Sequence, residues 1–394
     1  MEYYVPSKSY MKQEGRSAVG RIEGKNKKVC YDVLRIVAAF SVVMLHSAAQ
    51  FWYTLDIYSR EWIIANSYNS IFRFGVPVFV MISGALFLGK EYKLDIKRLY
   101  RHNILRLAVL FVIWSALYGI WDCRFVTLRE LGIKGLMREM VYGRYHLWFL
   151  PMLIGIYMLL PVLKEWLEHA RLETLRYFLL LFFVLQICRE TCAALTTMGE
   201  LEYILGLGKV DMVCSYIGYF LWGYYLSHVG ISGKLRRLIY IGVLPAGLCN
   251  IFLGNYLAHK AGVPVAEIYD SYGIFTFVIA TAVYVFAVDH IKQPDSDSGT
   301  ALDNGATMDN GAALDSRTVF NSRTGRLIRE LSADTLGVYL LHIGLLEGLE
   351  QIGVHNMMMP NVIGIPLQAV LCFVICTGLA ALLRRIPVVG KYLC

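Results

Sequence analysis

The residues of this chain best suited to chemistry are two ionisable side chains in an apolar stretch. Arg35 and His46 interrupt the stretch Tyr31–Ser47. They are eleven residues apart, which in a helix is three turns plus about 20°. Both side chains would therefore project from the same face of the helix, about 16 Å apart along its axis. Ionisable groups are costly inside a membrane and mark candidate functional sites there. Because an imidazole titrates near neutral pH, we predict that His46 transfers protons.

Asp32, His342 and Glu347 extend this set of ionisable residues. Asp32 lies three residues before Arg35, where it can orient or neutralise the guanidinium. In a second apolar stretch, TLGVYLLHIGLLEGLE, His342 falls near mid-membrane and Glu347 falls level with His46. Glu347 can polarise His46 if the two spans are neighbours. Simpler interpretations stay open: Arg35 reaching the lipid headgroups, and hydrogen bonds of the histidines to neighbouring helices.

The composition places these residues in a membrane protein. Hydrophobic residues make up 57% of the 394 residues and charged residues 17%, and the mean hydropathy is +0.50. This excludes an ordinary soluble globular protein. Apolar runs long enough to cross a hydrocarbon core of about 30 Å recur about ten times. They lie near residues 32–53, 66–88, 102–121, 146–163, 176–195, 210–228, 238–257, 271–289, 333–352 and 362–383. The predicted fold is an all-α, polytopic transmembrane helix bundle of about ten spans.

Basic residues predict how this bundle is oriented. Most of the 38 Lys and Arg residues fall in the N-terminal tail, the even-numbered loops and the C-terminal tail. By the positive-inside rule, both termini are then cytoplasmic, that is, N-in and C-in. The net charge of +8 therefore reflects the topology of the protein. It does not indicate nucleic-acid binding, which would need a basic domain with interspersed aromatic residues that is missing from the sequence.

The spans divide the chain into four predicted regions. They are a cytoplasmic N-terminal tail (1–30), spans one to eight (31–290), a disordered cytoplasmic linker (291–332), and spans nine and ten with a short cytoplasmic tail (333–394). The linker prediction rests on a polar, repetitive sequence that contains DNGA twice. The nine cysteines show no metal-ligand or disulfide pattern, so we predict that they are small buried hydrophobic residues and predict no metal site.

Polar residues near the two ends of the spans are candidates for binding. Arg98 and Arg101 precede the third span, where guanidinium groups could hold the phosphates of a coenzyme A thioester; the positive-inside rule explains them as well. Arg73, His146 and Trp148 fall toward the outside, where an acceptor would enter. Snorkelling of Arg73 and an interfacial aromatic belt are the simpler explanations there. The basic outer loop also predicts an amphipathic helix over Leu128–Val141.

Taken together, these segments resemble the acyltransferase-3 family of bacterial integral-membrane O-acyltransferases. The similarity follows the family order over nearly the whole membrane region. Its motifs are Arg-x10-His at Arg35 and His46, FGVPVFVMISGALFL, an RxxR motif at Arg98 and Arg101, HLWFLPMLIGIYMLLP, and GVYLLH. The nearest type is similar to the O-acetyltransferases that modify surface polysaccharides with acetyl groups from acetyl-CoA.

The resemblance implies roles for the matching residues. His46 would be the essential catalytic histidine, Arg35 its motif partner, and Arg98 with Arg101 the site for the acyl donor, acetyl-CoA. Asp32 and Glu347 complete the predicted catalytic set, and Arg73, His146, Trp148 and His342 the predicted substrate-binding set. The acceptor would be a glycan or a lipid-linked saccharide, and the protein would lie among the lipids of the bacterial inner membrane.

Two other classes of function stay open on the sequence. A ten-span transporter or exporter of a small solute or glycan could use His46 as a proton relay and Arg35 as a substrate site. Against a transporter, the two halves of the chain show no convincing internal repeat. A membrane module that exports or senses an amino acid, like the membrane half of certain serine racemases, is the third interpretation.

Overall fold

All regular structure in the described part of the chain is helical. The computed structural model describes residues 28–122, 134–135, 137–138, 143–195, 211–291, 323–386 and 390. The α-helices are α1 (Lys28–Ala49), α2 (Arg60–Ile71), α3 (Gly75–Phe87), α4 (Ile96–Arg98), α5 (Leu105–Asp122), α6 (Phe149–His169), α7 (Leu172–Phe182), α8 (Arg189–Leu195), α9 (Asp211–His228), α10 (Gly233–Ala261), α11 (Ile274–His290), α12 (Arg323–Gln351) and α13 (Asn361–Arg385). Short 3₁₀ or π segments are Phe72–Phe74, Leu99–Ile104, Tyr145–Trp148, Phe183–Cys188, Glu267–Tyr269 and Asn356–Met358.

Eight helical runs in the described ranges are long and apolar enough to cross a membrane. They are Val29–Ala49, Arg60–Phe87, Ile96–Asp122, Tyr145–His169, Leu172–Leu195, Gly233–Ala261, Glu267–His290 and Asn361–Arg385. Helices α9 and α12 lie where spans six and nine were predicted. The predicted all-α transmembrane bundle is confirmed, whereas the N-in, C-in orientation stays a prediction.

Helix α12 differs from the prediction at its start. It begins at Arg323, so residues 323–332, predicted as linker, are helical. Apart from Ile291, the rest of the predicted linker lies outside the described residues, and so does almost all of the N-terminal tail. The same holds for most of the predicted helix over Leu128–Val141.

Hydrogen bonds between distant helices define two faces of the bundle. On the first, which we call the N-terminal face, the Tyr31 hydroxyl of α1 donates to Ser227 near the end of α9 at 3.1 Å. On the opposite face, Gln50 directly after α1 donates to Glu350 of α12 at 2.8 Å and accepts from Gln368 of α13 at 2.9 Å. Since α1 packs against α2, α3, α12 and α13, it is the central helix of the bundle.

Two glycines let α3 and α9 cross at very short range. A Cβ atom added at Gly84 would overlap the backbone of Phe220, and one added at Gly223 would overlap the backbone of Met81. Small residues at such positions allow membrane helices to approach closely and gain van der Waals contact. The crossing fixes α3, which forms one wall of the cavity described below.

We expect Gly84→Leu to destabilise the bundle, because α3 and α9 would have to separate. Overpacking of this kind costs about 1–3 kcal/mol or more. The unfolding temperature of the purified protein in detergent should fall, as followed by tryptophan fluorescence. Gly247→Leu in α10 is the matched control, because nothing lies within 4 Å of a Cβ atom at that position. An equal unfolding temperature for both variants would contradict the close crossing.

Candidate active site

A cavity of about 600 Å³ lies between α1, α3, α6, α12 and the segment that leads into α5. Polar and charged residues line its end toward the N-terminal face: Asp32, Arg35, His102, Asn103, Arg106, Arg329 and Ser332. The deep end is apolar and aromatic, with Val42, Phe149 and Tyr339. Tyr339 lies ten residues after Arg329 along α12, so the cavity is about 15 Å deep.

Asp32 organises the charged end of the cavity. The predicted contact with Arg35 is present, since Arg35 Nη1 lies 3.1 Å from Asp32 Oδ1. Ser332 Oγ of α12 donates to the same carboxylate oxygen at 2.8 Å. One carboxylate therefore orients Arg35 and ties α1 to α12. The Arg35 side chain is still 34% exposed, so its guanidinium can also contact a ligand in the cavity.

Three histidines meet beyond the deep end of the cavity. The ring centroid of His342 lies 5.1 Å from that of His46 and 5.4 Å from that of His146. Each histidine is three or four residues from one deep-end residue: His46 follows Val42, His342 follows Tyr339, and His146 precedes Phe149. That is about one helical turn in each case, so the three rings cover the inner end of the cavity.

The backbone contacts of His342 determine which of its ring nitrogens carries the hydrogen. Nδ1 lies 2.7 Å from the carbonyl oxygen of Tyr339 and 3.2 Å from that of Val338. Carbonyl oxygens only accept, so Nδ1 carries the hydrogen and Nε2 of the neutral ring has the lone pair. His342 is 0% exposed, and Nε2 has no hydrogen-bond partner among the described residues. His342 therefore presents a buried acceptor to the cluster.

His146 is a second buried histidine with unused hydrogen-bonding capacity. It is 3% exposed, its ring approaches the backbone of Leu340, and at least one of its two ring nitrogens has no hydrogen-bond partner among the described residues. Its backbone is fixed, because the Tyr339 hydroxyl donates to the His146 carbonyl oxygen. Buried polar atoms are normally hydrogen-bonded. The unused nitrogens of His146 and His342 therefore mark a place where a water or a bound ligand completes the site.

Glu347, predicted to polarise His46, has other partners in the structure. Helices α1 and α12 are neighbours, as that prediction required. Glu347, however, accepts from Arg144, which also pairs with Asp122. Arg144 directly precedes the 3₁₀ segment that carries His146. Glu347 thus anchors this segment through Arg144 and positions the histidine cluster indirectly.

Two of the predicted acceptor-binding residues, Arg73 and Trp148, lie with Tyr145 on the side of the cluster nearer the opposite face. The Tyr145 ring lies 5.8 Å from the His46 ring and is 62% exposed, so it connects the cluster to the surface. Arg73 lies in the 3₁₀ segment that packs against α1, and its guanidinium lies over the Tyr269 ring at 5.4 Å. Trp148 is 44% exposed. Arg73, Tyr145 and Trp148 therefore offer a charged and aromatic approach to His46 from the side away from the cavity.

Comparison with known proteins identifies the family. The sequence model of a family described as an acyltransferase domain matches residues 28–385. The chain belongs to the acyltransferase-3 family. No curated protein and no solved structure matches it. The match runs from α1 to α13, so the cavity and the histidine cluster of this multi-pass membrane acyltransferase both lie within the family domain.

In this acyltransferase, Arg98 and Arg101 lie outside the cavity lining, and their role in donor binding stays a prediction. Both are exposed, and neither is among the described residues that line the cavity. Arg35, Arg106 and Arg329 supply the charge there instead. The chain between α4 and α5 is a π segment, and its wider turns change which residues face the bundle. The spacing of a regular α-helix could therefore not predict which arginines of this segment face the cavity.

Arg329 is a cavity residue that the sequence analysis missed. The polar sequence before span nine was predicted to be part of the linker, although α12 already includes it. A signal was present, because the lining residues Arg329, Ser332, Ala333, Leu336 and Tyr339 recur every three or four residues. This spacing marks one helix face. It continues from the polar residues into the apolar span without interruption.

The cysteines of the described helices are unbridged. Cys372 and Cys376 lie with their sulfur atoms 4.0 Å apart, about twice the length of a disulfide bond. Cys188 and Cys192 also form no disulfide bond. Among the described residues, no group of three His, Cys, Asp or Glu side chains is placed to hold a metal ion. The buried Cys372 and Cys376 pack against Leu346 and other apolar residues of the core.

Proposed function

We propose that the protein transfers an acyl group, preferably acetyl, from cytoplasmic acyl-CoA to a hydroxyl of an extracytoplasmic or lipid-linked glycan in the bacterial inner membrane. The observation that carries the proposal is one cavity with three arginines at its charged end and three histidines beyond its deep end. A CoA thioester has the matching chemistry, with phosphates at one end and a reactive thioester at the tip of a long slim arm.

The donor would enter from the N-terminal face. Guanidinium groups bind phosphate oxygens in bidentate, charge-assisted pairs, which assigns this role to Arg35, Arg106 and Arg329. The slim arm would fill the depth of the cavity, which is about 15 Å. Phe149 and Tyr339 would then flank the thioester at the deep end, one helical turn below the histidines.

His46 would act as the general base. The acceptor hydroxyl gives its proton to a ring nitrogen of His46 while its oxygen attacks the thioester carbonyl carbon. The carbon–sulfur bond then breaks, and the leaving thiolate takes the proton back from the imidazolium. His342 Nε2 would accept the other ring N–H of His46, which leaves the lone pair of His46 directed at the acceptor.

The acceptor would reach His46 from the opposite face. A sugar ring presents an apolar face that stacks on an aromatic side chain, and Tyr145 and Trp148 are exposed aromatic residues on this side. Arg73 adds a donor for polar or anionic groups of the acceptor. The two substrates therefore meet at the histidine cluster from opposite directions.

Arg329→Gln should raise the KM for acyl-CoA with little change in kcat. A hydrogen bond to a charged group contributes about 1.5–3 kcal/mol, which corresponds to a roughly 10- to 150-fold increase in KM. Initial rates of thiol release against acyl-CoA concentration measure this effect. Arg326→Gln is the matched control, because Arg326 is exposed on the same helix and lies outside the cavity lining. An unchanged KM in Arg329→Gln would remove this residue from the donor site.

The proposal as a whole is tested with the purified protein in liposomes. Labelled acetyl-CoA is supplied with and without a glycan acceptor, and free CoA thiol and acylated glycan are both measured. We expect thiol release that depends on the acceptor, with one acyl group transferred for each thiol released. Movement of labelled solute across the membrane without thiol release would contradict the proposal and favour a transporter.

A further inference from the structure

A second, larger cavity lies away from the histidine cluster. It has a volume of about 820 Å³ and is formed by α7, α9, α10, α11 and the π segment after α7. It shares no lining residue with the cavity of the active site. Its walls are mainly apolar, with Phe183, Trp222 and Phe277 among them. We call it the α10 groove.

The α10 groove opens toward the hydrocarbon of the membrane. Helix α10 lies at the edge of the bundle, and the groove-lining side chains Leu235 and Leu238 of α10 and Leu180 of α7 are 40%, 65% and 57% exposed. On a membrane-spanning helix, exposed apolar side chains contact lipid chains. The groove extends along α10 from Ser232 to Cys249, which is about 25 Å of helix. It therefore has the polarity and the length to hold a lipid chain.

One end of the α10 groove is positively charged. Arg176 lines this end and donates its Nε–H to the Tyr225 hydroxyl at 3.2 Å. Lys234 and Arg237 are exposed in the first turns of α10, whose N-terminus carries a partial positive charge. This end lies on the N-terminal face, because α9 ends there and α10 begins a few residues later. One cation thus lines the groove and two more lie beside it where it meets the headgroup region.

We propose that the α10 groove is a binding site for an anionic phospholipid. Its acyl chain lies along α10 between the aromatic walls, and its phosphate contacts Arg176 and the N-terminus of α10. Basic pockets between membrane helices bind anionic headgroups in this way. The site is independent of the acyl-transfer proposal, because it shares no lining residue with the active-site cavity.

The charge at this end disfavours a second copy of the chain as the occupant. In a twofold-symmetric dimer the same surface patch meets itself. Arg176, Lys234 and Arg237 would then face their own copies, and like charges in contact cost free energy. A phospholipid brings the opposite charge and an apolar chain together, as the groove requires.

Native mass spectrometry of the full-length protein tests the site. The protein is reconstituted in vesicles of phosphatidylglycerol or phosphatidylcholine, extracted, and its retained lipid counted. We expect wild type to retain phosphatidylglycerol in preference to phosphatidylcholine. Arg176→Gln should lower this preference about fivefold, the equivalent of about 1 kcal/mol.

A pair of glycine variants tests the apolar part of the groove. Gly242→Leu places a side chain inside it and should abolish lipid retention. Gly247→Leu, on the same helix but outside the groove lining, should retain lipid as wild type does. Equal retention of the two lipids by wild type, or undiminished preference in Arg176→Gln, would overturn the proposal. So would a retained polyprenyl lipid or a dimer mass in place of phosphatidylglycerol.

Discussion

His46→Gln should lower kcat for acyl transfer by about 10²- to 10⁴-fold. This is the contribution that a positioned general base makes to a reaction of this type. Glutamine has a similar size and can form hydrogen bonds, but it cannot take a proton from the acceptor hydroxyl. The measurement is the rate of CoA release in a single turnover with saturating donor and acceptor. The KM for acyl-CoA should change little, because the arginines that bind the phosphates are intact.

A second histidine variant controls for general effects of the substitution. His169→Gln changes an exposed residue at the end of α6, whose side chain is 75% exposed. We expect its kcat to equal that of wild type. If His46→Gln folds, inserts into the membrane and turns over at the wild-type rate, His46 is not the base.

His342→Leu should lower kcat by about 10- to 100-fold. Partners that orient a metal-bound histidine through its second nitrogen contribute on this scale, and we expect a similar effect for His46. Leucine fills the site but removes the Nε2 acceptor that would hold the His46 N–H. His342→Gln should recover part of the rate, because the glutamine side-chain oxygen is again an acceptor. The kinetic measurement is the same single-turnover assay.

The pair of His342 variants separates orientation from packing. If His342 only fills space, leucine and glutamine variants should differ through stability alone, and their unfolding temperatures should follow their rates. If it orients His46, the two variants should differ in kcat at equal stability. Wild-type kcat in His342→Leu would contradict the orienting role.

Interactions within one helix could be predicted from the sequence. Asp32 and Arg35 are three residues apart, and the geometry of a helix alone brings them together. The ten apolar runs were also predictable, because the thickness of the bilayer sets the length of a span. The start of α12 was missed, because its polar turns line the charged end of a cavity and their composition resembles that of a linker.

Contacts between side chains of different helices could be predicted only in part from the sequence. Glu347 was expected at the same depth in the membrane as His46, but the depth of a residue does not determine the direction in which its side chain points. The structure turns Glu347 toward Arg144 and brings His342 next to His46 instead. The approach of His146 depends on a 3₁₀ segment held by Arg144. Such contacts come from helix rotation and packing, which hydrophobic periodicity defines only coarsely.

The central claim is that the acyl donor reaches His46 through the cavity between α1 and α12. A photoreactive acyl-CoA with a diazirine in its acyl group tests it most directly, with the attached peptides mapped by mass spectrometry. We predict labelling at Val42–His46 of α1 or Tyr339–His342 of α12, and loss of labelling with excess acetyl-CoA. Labelling confined to the exposed segment around Arg98 and Arg101, or to the α10 groove, would contradict this path.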